Sequence, residues 1–117
     1  MPLASITTNA PEPSAAEQLA LLQEITTTLA RSFDKPERWV MTTFRGGVTM
    51  TFGGSTAPTA YVEVKNIGSM SEAKARAVSA SVTAAITKHL GVPSDRIYIE
   101  LVDAVAHLWG YDGGTFA

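Results

Sequence analysis

The sequence predicts an α+β fold in which two β-α-β units share one four-stranded mixed sheet with both helices on the same face. Each half of the 117-residue chain runs from a strand pattern through a capped helix and a proline to a second strand pattern. Pro36 and Pro93 follow the two helices at equivalent places in the two halves. The other face of such a sheet lacks helices to cover it, which predicts an oligomer.

The first half begins with a strand predicted over Leu3–Thr8. Ser14 and Glu17 then have the spacing of a capping box, in which each side chain satisfies the other residue's free backbone N–H. Strands are predicted over residues 39–44 and 48–52, which are rich in β-branched and aromatic residues. The helix between the cap and these strands is expected to bury one face, made by Leu22, Ile25, Leu29 and Phe33.

The second half repeats this order. Residues 59–65 alternate between apolar and polar side chains, and a strand is predicted there and over residues 96–103. Ser69 and Glu72 predict a second capping box, and Gly91 predicts the C-cap of the helix. The buried stripe of this helix is expected to be Val78, Val82, Ile86 and Leu90.

The composition indicates a single domain spanning residues 1–117 and excludes several classes of function. Apolar residues make up 45% of the chain, which is enough for a core, and the net charge of −2 leaves no basic stripe for nucleic acid. No apolar run is long enough to cross a membrane. The chain has no cysteine, so disulfides and thiolate chemistry are excluded. The start lacks the features of a secretory signal, which predicts a cytoplasmic protein.

Motifs for metal or cofactor chemistry are scarce. The two histidines, His89 and His107, lie far apart and have no metal-ligand spacing, so neither a metal nor a cofactor is predicted. The paired glycines fit neither the dinucleotide-binding nor the phosphate-binding pattern, and they are interpreted as turns.

Pro2 is the residue with the clearest chemical potential. If Met1 is removed, Pro2 carries a free secondary amine on a rigid ring directly before a strand. Burial and a nearby cation both lower the pKa of an amine, which would make this group a general base near neutral pH. The alternative is that proline at this position only governs the removal of Met1, and the residues alone favour that alternative.

Several short segments together resemble one known family, the macrophage migration inhibitory factor family of the tautomerase superfamily. The resemblance covers the chain from end to end and rests on the joint spacing of residues 1–3 (MPL), 34–36 (DKP), 52–55 (FGGS), 66–68 (NIG), 93–99 (PSDRIYI) and 114–117 (GTFA). It implies a homotrimer whose sheets form a closed central barrel. It also implies a keto–enol tautomerase with no cofactor, whose pockets lie between neighbouring subunits.

The resemblance implies a role for each residue of the site. Pro2 would be the catalytic base that moves a proton between carbon and oxygen of an α-keto acid such as phenylpyruvate. Lys35 would bind the substrate carboxylate and lower the pKa of the amine, and the backbone N–H of Ile67 would donate to the same carboxylate. Tyr98 of a neighbouring subunit would line the pocket. The remaining pocket residues would be Phe116, Tyr111, Trp109 and Glu100.

Some positions depart from the family pattern. Glu100 stands where the animal cytokine has an asparagine, and a carboxylate there would disfavour an anionic substrate and raise the pKa of the amine. Tyr111 matches the usual pocket tryptophan, whereas Trp109 falls where a small aliphatic residue is usual. Residues 59–62 (TAYV) replace the cytokine's pair of cysteines, which excludes thiol–disulfide exchange.

Two alternatives to the tautomerase remain open. The first is a trimeric binding or cytokine-like signalling protein with a relic pocket, and the second is decarboxylation or dehalogenation, for which Arg38 and Arg45 are candidates. The predicted partners are a small α-keto acid or enol and two further copies of the chain, with no nucleic acid or membrane. The protein is expected in the cytoplasm. The resemblance also implies that it could be released from the cell without a signal peptide.

Overall fold

A four-stranded mixed sheet packed against two long helices forms most of the molecule. The computed structural model describes residues 1–117. The helices and main strands are β1 (Leu3–Thr8), α1 (Ala15–Ser32), β2 (Met41–Arg45), β3 (Ala60–Ile67), α2 (Glu72–Leu90) and β4 (Ile97–Ala104). A small hairpin of β5 (Gly110–Tyr111) and β6 (Gly114–Thr115) follows, and short 3-10 helices span Glu37–Trp39, Ser94–Arg96 and Ala106–Leu108.

The sheet joins two β-α-β units through its central pair of strands. Its strand order is β2-β1-β3-β4. β1 is parallel to β2 and β3 is parallel to β4, whereas β1 and β3 are antiparallel. The predicted α+β architecture of two β-α-β repeats and a four-stranded mixed sheet is therefore confirmed. Neither helix is both long enough and apolar enough to cross a membrane.

One face of the sheet supplies the core. Alternate residues of β1 and β3 are buried, so the predicted alternation along residues 59–65 is confirmed. Of the residues predicted for α1, Ile25, Leu29 and Phe33 are buried, and Leu22 is partly buried and packs against the core. The fully buried residue of the first turns is Leu21, which was not predicted and which continues the spacing of four from Ile25. Leu90, like Leu22, is only partly buried. The core cluster contains Ala4, Ile6, Leu21, Ile25, Leu29, Phe33, Ala60, Val62, Val64, Val78, Val82, Ala85, Ile86 and Val92.

The caps of the two helices were predicted with different success. The capping box of Ser14 and Glu17 is present as predicted, and Gly91 ends α2 in the left-handed conformation at φ 70°. The second predicted box was wrong, because the N-cap of α2 is Ser71, whose hydroxyl accepts from the Lys74 N–H. Met70, directly before this cap, packs against the core, as a hydrophobic residue before an N-cap often does.

The segment between β2 and β3 is a loop held by Arg96. The strand predicted over residues 48–52 is absent, and only an isolated bridge joins Phe52 to Ser55. The Arg96 guanidinium donates to the carbonyls of four loop residues, and its carbon lies 5.2 Å from the centre of the Phe52 ring. The accepting residues are Phe52, Ser55, Ala57 and Pro58.

A charged cluster joins the two helices at their outer surface. The Glu24 carboxylate of α1 accepts from Lys88 at 2.9 Å and lies 3.1 Å from Nε2 of His89, both on α2. His89 is therefore an inter-helix contact as well as a residue of the last turn of α2. The hydrogen bonds from Lys88 and His89 lower the pKa of Glu24, although partial burial opposes them.

We expect Arg96→Lys to loosen the loop between β2 and β3. A lysine keeps the charge but cannot hold four carbonyls with a planar fork of donors. The loss should be about 1–2 kcal/mol of unfolding free energy, with faster proteolytic cleavage near Gly53. Limited proteolysis and urea unfolding measure both effects. Arg31→Lys, at a residue with no ion pair, is the matched control, and equal cleavage rates in the two variants would contradict the role given to Arg96.

We expect Glu24→Gln to destabilise the fold at neutral pH but not in acid. Because the pKa of Glu24 is lower in the folded state, its stabilising effect is present above the unfolded-state pKa and is lost as the pH falls through the folded-state pKa. The pair is partly exposed, so the effect at pH 7 should be only about 0.5 kcal/mol. Urea unfolding at pH 7 and at pH 3 measures it, with Glu12→Gln as the control. A difference that persists unchanged at the lower pH would contradict this account.

Candidate functional site

A largely apolar cavity of about 430 Å³ lies where the start of the chain meets its end. The backbone N–H of Met41 donates to the carbonyl of Pro2 at 3.0 Å, which fixes the first residues against β2. The Phe116 N–H donates to the Trp109 carbonyl at 3.2 Å, which folds the last residues back over the opening. The lining residues are Met1, Pro2, Leu3, Arg38, Trp39, Val40, Met41, Trp109, Gly110, Tyr111 and Phe116.

Three aromatic rings pack together at one side of the cavity. The rings of Tyr111 and Phe116 are stacked, with centres 5.2 Å apart and an angle of 14° between their planes. Trp39 meets both of them edge-on, at 5.1 Å from Tyr111 and 6.0 Å from Phe116. The predicted pocket residues Trp109, Tyr111 and Phe116 are therefore brought to the same cavity as Pro2. These three packed rings, Trp39, Tyr111 and Phe116, are called the aromatic wall below.

Trp39 and Arg38 both line this cavity. Trp39 was not predicted there, and Arg38 was named only as a candidate for decarboxylation or dehalogenation. Residues 39–44 were predicted as one strand, but Trp39 ends the short 3-10 helix after Pro36 and β2 begins only at Met41. That extra turn presents both side chains to the cavity. The sequence signal was Pro36 itself, because a proline can open a short helical turn.

The chain start lies in an environment that disfavours positive charge. Pro2 is buried, and Met1 is partly buried. Burial lowers the pKa of the Met1 ammonium, and the positive charge of Lys35 lowers this pKa further. Lys35 does not line the cavity, but its charge acts on the terminal amine. The role that the resemblance implies for Lys35 stays a prediction.

The charges at the cavity are positive. The Arg38 guanidinium carbon lies 5.6 Å from the centre of the Trp39 ring. Neither Arg38 nor Lys35 forms an ion pair, and no carboxylate lines the cavity. An anionic ligand in the cavity would therefore meet the unpaired Arg38 guanidinium and no side-chain carboxylate of the same subunit.

Tyr98, Ile67 and Glu100 do not line this cavity within the same subunit. All three lie at alternate positions of β3 and β4 that face away from the helices. Tyr98 is 65% exposed and its ring centre lies 4.7 Å from that of Phe52. It lines a second cavity of about 290 Å³. The roles given to these three residues stay predictions, and the one for Tyr98 assigns it to the pocket of a neighbouring subunit.

Glu100 belongs to a polar group on the helix-free face. It lies opposite Glu63 in the register of β3 and β4. The hydroxyl of Tyr61 donates to Glu63 at 3.1 Å, and Lys65 lies 3.8 Å from the same carboxylate. Desolvation, the hydrogen bond to Glu63 and the charge of Glu100 together raise the pKa of Tyr61.

Asn66 carries the one buried side-chain polar atom without a hydrogen-bond partner, its Oδ1. It lies at the end of β3, one position beyond Lys65, which pairs with Leu3 of β1. Asn66 therefore lies next to the start of β1, where Pro2 lies. Buried polar atoms of this kind are rare, because an unmade hydrogen bond is costly.

Comparison with known proteins agrees with this geometry. A family model described as macrophage migration inhibitory factor matches residues 1–117. The migration inhibitory factor of Meriones unguiculatus is 34% identical over 117 residues and covers 100% of both chains. A homolog from Trichuris trichiura is 33% identical over 116 residues, covering 99% of this chain and 100% of its own.

Solved structures show the same relationship. A homologue from Prochlorococcus marinus superposes with a TM-score of 0.91 at 45% identity, covering 98% of this chain and 99% of its own. The Toxoplasma gondii factor has a TM-score of 0.91 at 30% identity, covering 97% and 99%. The chain therefore belongs to the macrophage migration inhibitory factor family of the tautomerase superfamily.

Proposed function

We propose that this protein is a keto–enol tautomerase that acts on aromatic α-keto acids, with the Pro2 amine as general base after removal of Met1. The observation that carries the proposal is the position of the chain start. Pro2 is buried at an apolar cavity, and directly before it desolvation and the charge of Lys35 lower the pKa of the Met1 ammonium. Membership of the family supports tautomerase-like activity in general.

The reaction needs one group that both accepts and donates a proton. The unprotonated Pro2 amine removes a proton from the carbon next to the ketone, and the electron pair of that C–H bond forms the carbon–carbon double bond of an enolate. The resulting ammonium then gives the proton to the enolate oxygen, which yields the enol and restores the neutral amine. A pKa near the working pH suits both halves of this cycle.

The surrounding residues position the substrate in this proposal. Lys35 attracts the carboxylate, and the aromatic wall packs against the substrate ring, since aromatic rings favour stacked and edge-on contacts. The apolar lining excludes water, which strengthens the electrostatic contacts inside the cavity.

The same proposal includes a homotrimer. The helix-free face of the sheet carries the exposed Tyr98 and the half-buried Tyr61, and no element of the same subunit covers it. Three such faces closed into a barrel would bring Tyr98 to the pocket of a neighbouring subunit. A cytokine-like binding role is the alternative function, because relatives of the chain bear the name of a migration inhibitory factor.

We expect Pro2→Gly to lower the rate of phenylpyruvate tautomerisation by roughly 10²–10⁴-fold, the usual contribution of a general base. Intact mass must first show that Met1 is absent from both proteins. A form with one extra residue ahead of Pro2, whose nitrogen is then an amide, should lose activity in the same way. An undiminished rate in both altered proteins would exclude Pro2 as the base.

We expect Lys35→Gln to move the pH dependence of kcat/KM toward higher pH. Lys35 lowers the pKa of the Met1 ammonium, and we propose the same effect on the Pro2 amine of the processed protein. Removing the cation should then raise the pKa of the Pro2 amine and leave less free base at pH 7. The rise of kcat/KM should therefore begin at a higher pH in the variant than in the wild type. Lys74→Gln, on the exposed side of α2, is the matched control. An unshifted profile in Lys35→Gln would refute the electrostatic role of Lys35.

A further inference from the structure

We propose that Arg38 makes this cavity selective for aromatic α-keto acids that carry a second acidic group at the far end of the ring. This inference rests on the proposed function and names the substrate class of the same site. It assigns the second anion to Arg38, and Lys35 retains the carboxylate next to the ketone.

The placement of Arg38 gives the first argument. Arg38 is the one charged side chain that lines the cavity. Its guanidinium lies over Trp39, and Trp39 meets Tyr111 and Phe116 edge-on. Arg38 is therefore at the end of the cavity where the aromatic wall stands. A substrate ring packed against that wall would direct its far substituent toward Arg38.

The chemistry of the guanidinium gives the second argument. A guanidinium that stacks on an aromatic ring uses its flat face, and the N–H groups on its edge stay free for a bidentate contact with a carboxylate. The Arg38 side chain makes no hydrogen bond or ion pair within the protein that would occupy this edge.

The balance of charge gives the third argument. Two cations act at this cavity, Lys35 through its charge on the chain start and Arg38 in the lining beside the aromatic wall, and no carboxylate of the same subunit lines the cavity to compensate either of them. A substrate with a single carboxylate leaves one of these cations without an anion. The nearby Glu37 carboxylate is engaged elsewhere, since it accepts from the Thr27 hydroxyl at 2.9 Å.

The test compares two keto acids in the processed wild type and in Arg38→Gln. The probes are phenylpyruvate and 4-carboxyphenylpyruvate, and the readout is the ratio of their kcat/KM values. We expect the wild type to prefer the carboxylated substrate and Arg38→Gln to lower the ratio about tenfold, as for the loss of one charge-assisted hydrogen bond. Arg31→Gln removes the same charge outside the cavity, and it should leave the ratio unchanged.

A binding measurement separates this inference from the proposed function. The unreactive acids 3-phenylpropanoate and 3-(4-carboxyphenyl)propanoate lack the ketone, so their dissociation constants do not depend on catalysis. If neither keto acid is turned over but the carboxylated acid binds more tightly in an Arg38-dependent way, the tautomerase proposal fails and the selectivity stands. If phenylpyruvate is turned over while neither the kcat/KM ratio of the keto acids nor the ratio of the two dissociation constants depends on Arg38, the tautomerase proposal stands and the selectivity is overturned.

Discussion

The antiparallel pairing of β1 with β3 is the contact on which the rest of the subunit depends. It joins two β-α-β units that each contribute a parallel pair, so both central strands have a neighbour on either side. Because both strands bury alternate side chains beneath α1 and α2, one register sets the whole core. The same pairing leads β1 into the sheet at Leu3 and thereby places Pro2 at the floor of the cavity.

Much of the fold could be predicted because its signals are local. The capping box at Ser14, the C-cap at Gly91 and the alternation along β3 each depend on a few adjacent residues. The predictions that were wrong concern positions where contacts with other parts of the chain decide the structure. The cap of α2 is Ser71 because Met70 packs on the core, and residues 48–52 stay a loop because Arg96, distant in sequence, binds their neighbours.

The site was predictable to a lesser degree. The resemblance brought Trp109, Tyr111 and Phe116 to the same cavity as Pro2, whereas composition and spacing alone gave only a proline near the chain start. Trp39 was missed because a short helical turn after Pro36 changes which way it faces, whereas Arg38 was named only as a candidate for decarboxylation or dehalogenation. Tyr98, Ile67 and Glu100 lie on the opposite, helix-free face, since their positions along β3 and β4 share one phase of the strand alternation.

Two of the three segments that line the cavity are the ends of the chain, residues 1–3 and 109–116, and this has a consequence for the dynamics of the protein. The last residues are attached by few backbone hydrogen bonds, among them the one from Phe116 to Trp109, and by the ring contacts with Trp39. A ligand that fills the cavity touches both segments and fastens one to the other. Its binding energy would thereby stabilise the closure of a very long loop, and occupancy is expected to slow amide exchange in the terminal hairpin and in β1 together.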